Sequence, residues 1–187
     1  MPSDPVIIHL VRHGEASAHW GQGEDPGLSE FGEQQAQQVG AQLFPGLNAG
    51  VKVVSSPLKR AMETARPLAD SLHADIQVDA AFSEIAAPVP IEQRQQWLRT
   101  FVRQRWHEQS QSLHDWRDAA VRQLLEQTGP AVVFTHFMAI NAVVSKVLDS
   151  DETLHFLPDN GSITTLRRTG DALELVQLGR ELKTVVN

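Results

Sequence analysis

The chain has 187 residues, of which 41% are hydrophobic and 21% charged, so it is long enough for about one compact domain and too apolar for global disorder. It contains no cysteine, which excludes disulfides, thiolate metal sites and cysteine nucleophiles together. Sixteen Lys and Arg against 23 Asp and Glu give a formal charge of −7, a repulsive field for nucleic acid or an anionic membrane surface that still leaves room for a local arginine pocket. No apolar run approaches the ~20 residues needed to cross a bilayer. The opening Met1-Pro-Ser-Asp-Pro lacks a basic leader, so a cytosolic location is expected.

Helical and strand patterns alternate along the chain. Val6 to Val11 reads as a short buried strand, and residues 15–28 as a loop rich in Gly, Asp, Pro and Ser. Ser29 is placed to cap the next helix, with Glu30 and Glu33 at the positive end of its dipole and Val39 and Leu43 on its core face. Val51 to Ser55 forms a second strand. Ser56-Pro57 then predicts an N-cap followed by proline in the first helical position, and Leu58, Ala61, Met62, Ala65, Leu68, Ala69 and Leu72 fall at core spacing. Asp75 to Val78 predicts a short third strand, and residues 80–90 a loop. Two polar, Trp-bearing helices follow over 91–107 and 110–128, closed by Gly129-Pro130. Ala131 to Thr135 is a buried strand leading straight into a helix over Phe137–Leu148. Ser162–Arg167 and Ala172–Leu178 pair as closing strands around Thr169-Gly170-Asp171. This order predicts a single α/β domain over 1–187, a three-layer α/β/α sandwich with a mainly parallel mixed sheet, in which 90–128 shapes substrate choice.

Ligands of open α/β sheets collect beyond the carboxyl ends of the strands. Three strand ends carry matching polar residues: Arg12-His13-Gly14-Glu15, then Ser55-Ser56-Pro57-Leu58-Lys59-Arg60, then Thr135-His136. In a parallel sheet they converge as two arginines and two histidines beside helix N-termini, the composition of a phosphate site. A neutral imidazole at His13 can attack phosphorus and form a phosphoramidate. His136 is expected to work as an imidazolium that neutralises the moving phosphoryl group. Gly14 permits close backbone approach to the phosphate. A carboxyl group must protonate the leaving oxygen. Spacing alone does not choose it among 23 acids, and Glu84, in a loop with apolar neighbours, is one candidate. Ser17 and His19 lie where they can touch substrate. His9 and His13 share one side of a strand, but no acidic cluster joins them, so no metal and no cofactor are expected. Asn160-Gly161-Ser162 fits a glycosylation acceptor and reads better as a turn.

The segment LVRHGEASAHW resembles the opening signature of the histidine phosphatase superfamily, the phosphoglycerate-mutase-like proteins. The segments DPGLSEFGEQQAQQVG, VVSSPLKRAMETARPLA, VVFTHFMAINAV and DNGSITTL resemble its later blocks in the same order, leaving only about 90–128 uncovered. The resemblance implies that His13 becomes phosphorylated, that Arg12, Arg60 and His136 complete the phosphate pocket, that Glu84 is the general acid, and that no metal is needed. Ala16 and His19 stand where mutases of the family carry Ser and Asn, and Phe137 stands where Gly commonly follows the second histidine. With the compact length, these departures favour hydrolysis of a small phosphomonoester. Phosphoglycerate mutase-type transfer, protein phosphohistidine hydrolysis and a non-catalytic phosphate-ligand module are the alternatives. The oligomeric state is left open.

Overall fold

The computed structural model describes residues 4–18 and 24–183. Six strands, β1 (Val6–Arg12), β2 (Lys52–Ser55), β3 (Ile76–Val78), β4 (Ala131–Thr135), β5 (Ile163–Thr169) and β6 (Ala172–Gln177), form one sheet in the order β3-β2-β4-β1-β5-β6. β3, β2, β4 and β1 run parallel, while β5 pairs antiparallel with β1 and β6 antiparallel with β5. The helices are α1 (Glu30–Leu43), α2 (Lys59–Leu72), α3 (Arg94–Phe101), α4 (Gln111–Leu125) and α5 (Phe137–Val147).

The sandwich follows from strands that are apolar on both faces. Val53, Val132 and Phe134 pack with Val39, Leu43 and Leu68 of α1 and α2 on one face. Their neighbours Val54 and Val133, with Ile8 and Leu10, pack with Leu124, Ile140 and Val143 of α4 and α5 on the other. The alternation of side chains along each strand sends successive residues to opposite cores. α5 is mostly apolar and is buried continuously from Met138 to Ser145, including the polar Asn141 and Ser145. No helix among the described residues is long and apolar enough to cross a membrane.

The predicted elements are present, and two of them differ in extent from the expectation. α2 begins at Lys59, two residues beyond Pro57, and its cap residue Leu58 has no side-chain cap bond. The reason is that the Ser56 hydroxyl turns to His136 as well as to the Leu58 amide. The helix expected over 91–107 is interrupted: a 3-10 turn at Ile91–Gln93 leads into α3, which stops at Phe101. The buried Thr153 hydroxyl lies against the carbonyls of Phe101 and Gln104, at 2.8 and 3.0 Å, and the Trp106 amide donates to the Asp151 carbonyl, so these groups are unavailable for further helix. The two middle helices form a third core, in which Phe101, Trp106 and Leu113 pack on Ile85, Met138 and Ala142. Trp97, Phe101 and Trp106 are therefore packing residues.

Candidate active site

The parallel register levels the three polar strand ends. Arg12 is paired with Thr135 and Ser55 with Phe134. The amides of His13 and Ser56 then donate to the carbonyls of Thr135 and Phe134, both at 3.0 Å. Arg12, His13 and Arg60 line one cleft of about 840 Å³ together with Glu84, Ser17 and Phe137, and His136 lies buried beside it with its ring centroid 5.2 Å from that of His13. His19 lies outside the described residues.

His13 is held on both nitrogens. Nδ1 is 2.6 Å from the Gly14 carbonyl, which only accepts, so Nδ1 carries the proton. The Arg60 Nε–H, which only donates, points at Nε2 from 3.1 Å, so Nε2 presents its lone pair. Together the two contacts specify one neutral tautomer. Burial, and after it the Arg60 and Arg12 guanidiniums, hold the imidazole well below its ordinary 6.5.

His136 is also pushed well below 6.5, by burial first and then by His13, Arg60 and Arg12, so the ligand-free site favours its neutral form, and the imidazolium expected during transfer belongs to the ligand-bound state. Its Nε2 is 2.7 Å from Ser56 Oγ. That hydroxyl accepts from the Leu58 amide at 3.1 Å, and its own proton has no other acceptor, so it is donated to Nε2. The remaining ring proton is then on Nδ1, a buried atom with no hydrogen-bond partner.

Two helix ends are closed by carboxylates from distant loops. Glu84 accepts from the Met138 and Ala139 amides of α5 at 3.1 Å, and from its neighbour Ile85 at 2.9 Å. Those amides are the donors a helix N-terminus leaves unsatisfied. Burial raises the Glu84 carboxyl above its ordinary 4.5, and the amides, Arg60 and Arg12 only partly oppose it. Its loop is tied down by Thr135 Oγ1 donating to the Phe82 carbonyl at 2.6 Å, and by the Trp116 indole donating to the Ser83 carbonyl at 3.1 Å. At α2, Asp25 Oδ1 accepts from the Lys59 amide at 2.9 Å and faces Arg60 at 3.9 Å. Arg60 makes no pair with Glu63, which instead accepts from the Leu28 amide at 2.6 Å.

Arg12 donates to the Pro158 carbonyl at 2.8 Å and lies over the Phe137 ring, 5.1 Å from its centroid. Phe137 therefore braces an arginine in addition to walling the cleft. The missing side chain at Gly14 also answers a packing need: a Cβ there would meet the Gly32 carbonyl at 2.5 Å, and one on Gly32 would meet the Glu15 carbonyl at 2.1 Å. The paired glycines let α1 press against the exit of β1. Asn160 donates to the His13 carbonyl at 2.9 Å, beside Gly161 at φ +68° in the expected turn. Ser17 is exposed on the cleft, with its amide bonded to the Gly27 carbonyl. His9 bonds Thr165 on β5, away from any metal pair with His13. The site residues that sequence reasoning missed are Ser56, Asp25 and Asn160. All three sit inside the quoted family blocks, which was the available signal.

Comparison with known proteins places this geometry. The model of the histidine phosphatase superfamily (branch 1) matches residues 8–181. A probable phosphoglycerate mutase, GpmB, of Erwinia tasmaniensis is 31% identical over 165 residues, covering 75% of this chain and 74% of that protein. A phosphoserine phosphatase mutant from Entamoeba histolytica, solved with phosphoserine, superposes with a TM-score of 0.74 at 20% identity, covering 92% of this chain and 96% of its own. A mycobacterial glucosyl-3-phosphoglycerate phosphatase in complex with VO3 superposes with a TM-score of 0.68 at 21% identity, covering 91% and 98%. At such identities the two structures speak for the fold alone.

The two buried imidazoles make folding sensitive to acid. Each binds its proton less readily in the folded chain than in the unfolded one, where the value is 6.5. Below 6.5, and down to the lowered folded values, the unfolded state holds more protons, so stability falls as pH falls, by about 1.4 kcal/mol per pH unit for each histidine. Glu84 acts in the opposite sense above 4.5, so the informative quantity is a difference between variants. Urea unfolding of wild type and His136→Asn across this range should show a shallower acid loss in the variant, by about one proton; identical slopes would contradict the neutral assignment.

Proposed function

The chain belongs to the histidine phosphatase superfamily, and we propose that it is a metal-independent phosphomonoesterase acting on a small phosphorylated substrate through phospho-His13. The observation that carries this reading is the double hold on His13: a protonated Nδ1 on the Gly14 carbonyl and a bare Nε2 facing a guanidinium in an open cleft. An incoming phosphoryl group takes over the Arg60 donor, and Arg12 supplies a second guanidinium beside it. The buried Nδ1–H of His136 then gains the acceptor it lacks. A bound dianion also favours a second proton on that ring, so the imidazolium forms with the substrate in place. These three groups supply the positive charge that a metal ion would otherwise bring.

The chemistry divides into two displacements. The His13 Nε2 lone pair forms a bond to phosphorus as the bond to the ester oxygen breaks, and the Glu84 carboxyl gives its proton to the departing oxygen. The resulting Glu84 carboxylate takes a proton from water, whose oxygen bonds to phosphorus as the P–N bond breaks. Inorganic phosphate leaves, and both residues regain their starting protonation. Burial keeps the imidazole unprotonated to a lower pH, and the carboxyl protonated to a higher pH, than either would be in water, which suits one as nucleophile and the other as acid. The likeness to a probable phosphoglycerate mutase favours one alternative, in which phospho-His13 returns its group to a second hydroxyl of the same ligand.

Brief exposure to an activated phosphoester in the presence of chelator should leave acid-labile phosphate on the wild-type protein and release inorganic phosphate. His13→Ala should abolish both, whereas retained turnover would reject the reading, and an isomerised ester without released phosphate would favour the mutase. Glu84→Gln should slow alkyl phosphates about 10²- to 10⁴-fold and aryl phosphates with good leaving groups far less. Equal losses on the two classes would remove Glu84 as the acid.

A further inference from the structure

The two displacements use the polar floor of the cleft and leave one of its walls without a role. A volume of about 840 Å³ holds considerably more than the phosphoryl group alone. Protonation of the leaving oxygen by Glu84 places the alcohol half of the ester on the Glu84 side of the cleft. The lining residues next to Glu84 in the chain are Ile85, Ala86 and Ala87, and those around the amides it accepts from are Phe137 and Met138, while Leu98 of α3 joins the same lining. All six are apolar. Phe137 is the largest of them. Its ring packs against the core formed by the two middle helices and lies under the Arg12 guanidinium, 5.1 Å from the ring centroid, so it is held in the wall from two sides.

The polar groups of the lining are committed elsewhere or carry the wrong charge for an anion. Asn160 donates to the His13 carbonyl, and the Ser29 hydroxyl links the Glu15 carboxylate to the Gly32 amide. Arg12 and Arg60 serve the phosphoryl group. The other charged side chains on the lining, among the described residues, are Arg94 against Glu15 and Glu24, with the acid Glu84 itself. Beyond the phosphoryl pocket, therefore, carboxyl groups outnumber cations.

We propose that Phe137 and its five apolar neighbours form a leaving-group subsite that selects phosphomonoesters of uncharged, hydrocarbon-rich alcohols, with Phe137 as the residue that sets this preference. The inference deepens the phosphatase reading of the same cleft and rests on it. A hydrocarbon chain laid along the wall leaves water, and each methylene fully buried corresponds to about fourfold in affinity. A carboxylate in the same place loses its hydration and faces Glu15 and Glu24 across the cleft.

Methyl, propyl and hexyl phosphate, with a hexyl analogue whose terminal methyl is replaced by a carboxylate, make the test, and released inorganic phosphate is the readout. Wild type should gain about two- to fourfold in kcat/KM per added methylene, mainly through KM, and should disfavour the carboxylate by about tenfold against its neutral match. Phe137→Ser should flatten the dependence on chain length. Loss of the brace on Arg12 lowers every member of the series alike, so it changes the height of the series and not its slope. A flat series in wild type, or a preference for the carboxylate, would overturn the subsite and leave the phosphatase reading standing. A variant that keeps the wild-type slope would overturn the role of Phe137. A wild type that hydrolyses none of the four esters would remove both readings.

Discussion

One imidazole held from two sides organises the rest of this molecule. The Gly14 carbonyl holds a proton on Nδ1 and the Arg60 Nε–H keeps Nε2 bare, and together they admit one protonation state of the ring. Neither contact exists without the fold. The first requires the chain to turn at the end of β1, where Gly14 and Gly32 allow α1 to approach to within what a Cβ would forbid. The second requires α2 to begin where it does, so that Arg60 lies in its first turn and reaches across to the neighbouring strand end. Thr64, one turn further on, locks the pair: its hydroxyl donates to the Arg60 carbonyl and accepts from the Gly14 amide.

The helix ends around this imidazole are used unequally. Parallel strands deliver the N-termini of α2 and α5 to the same edge, and both would attract an anion. Both are already occupied by carboxylates, Asp25 at Lys59 and Glu84 at Met138 and Ala139. The positive charge left over for a ligand is therefore carried by arginines, and the acid is fixed in place by the dipole it caps. The same amides that hold Glu84 favour its ionised form, while burial favours the neutral one and prevails. That balance raises the affinity of the carboxyl group for a proton against the pull of its amide partners and two guanidiniums.

The strand ends and the fold were legible in the sequence because their signals are local. Buried runs such as Ala131–Thr135 are followed at once by their functional residue, and the Ser29 cap, accepting from the Gly32 amide, lies next to the helix it starts. Contacts between distant segments were not legible. Ser56 looked like a helix cap, and besides accepting from the Leu58 amide it is bonded to His136, 80 residues away. Asp25 caps a helix 34 residues downstream. Trp116 offered only an aromatic at helical spacing, yet its indole steadies the backbone next to Glu84. The neutral form that burial favours at His136 before a ligand arrives was not legible, because residue type alone says nothing of burial.

The arrangement of protons on His13 is open to direct observation by ¹⁵N NMR of histidine-labelled protein in the ligand-free state. At a pH just below 6.5 the account predicts a neutral ring with its proton on Nδ1 and an unprotonated Nε2. A proton on Nε2, or a fully protonated ring at that pH, would contradict it.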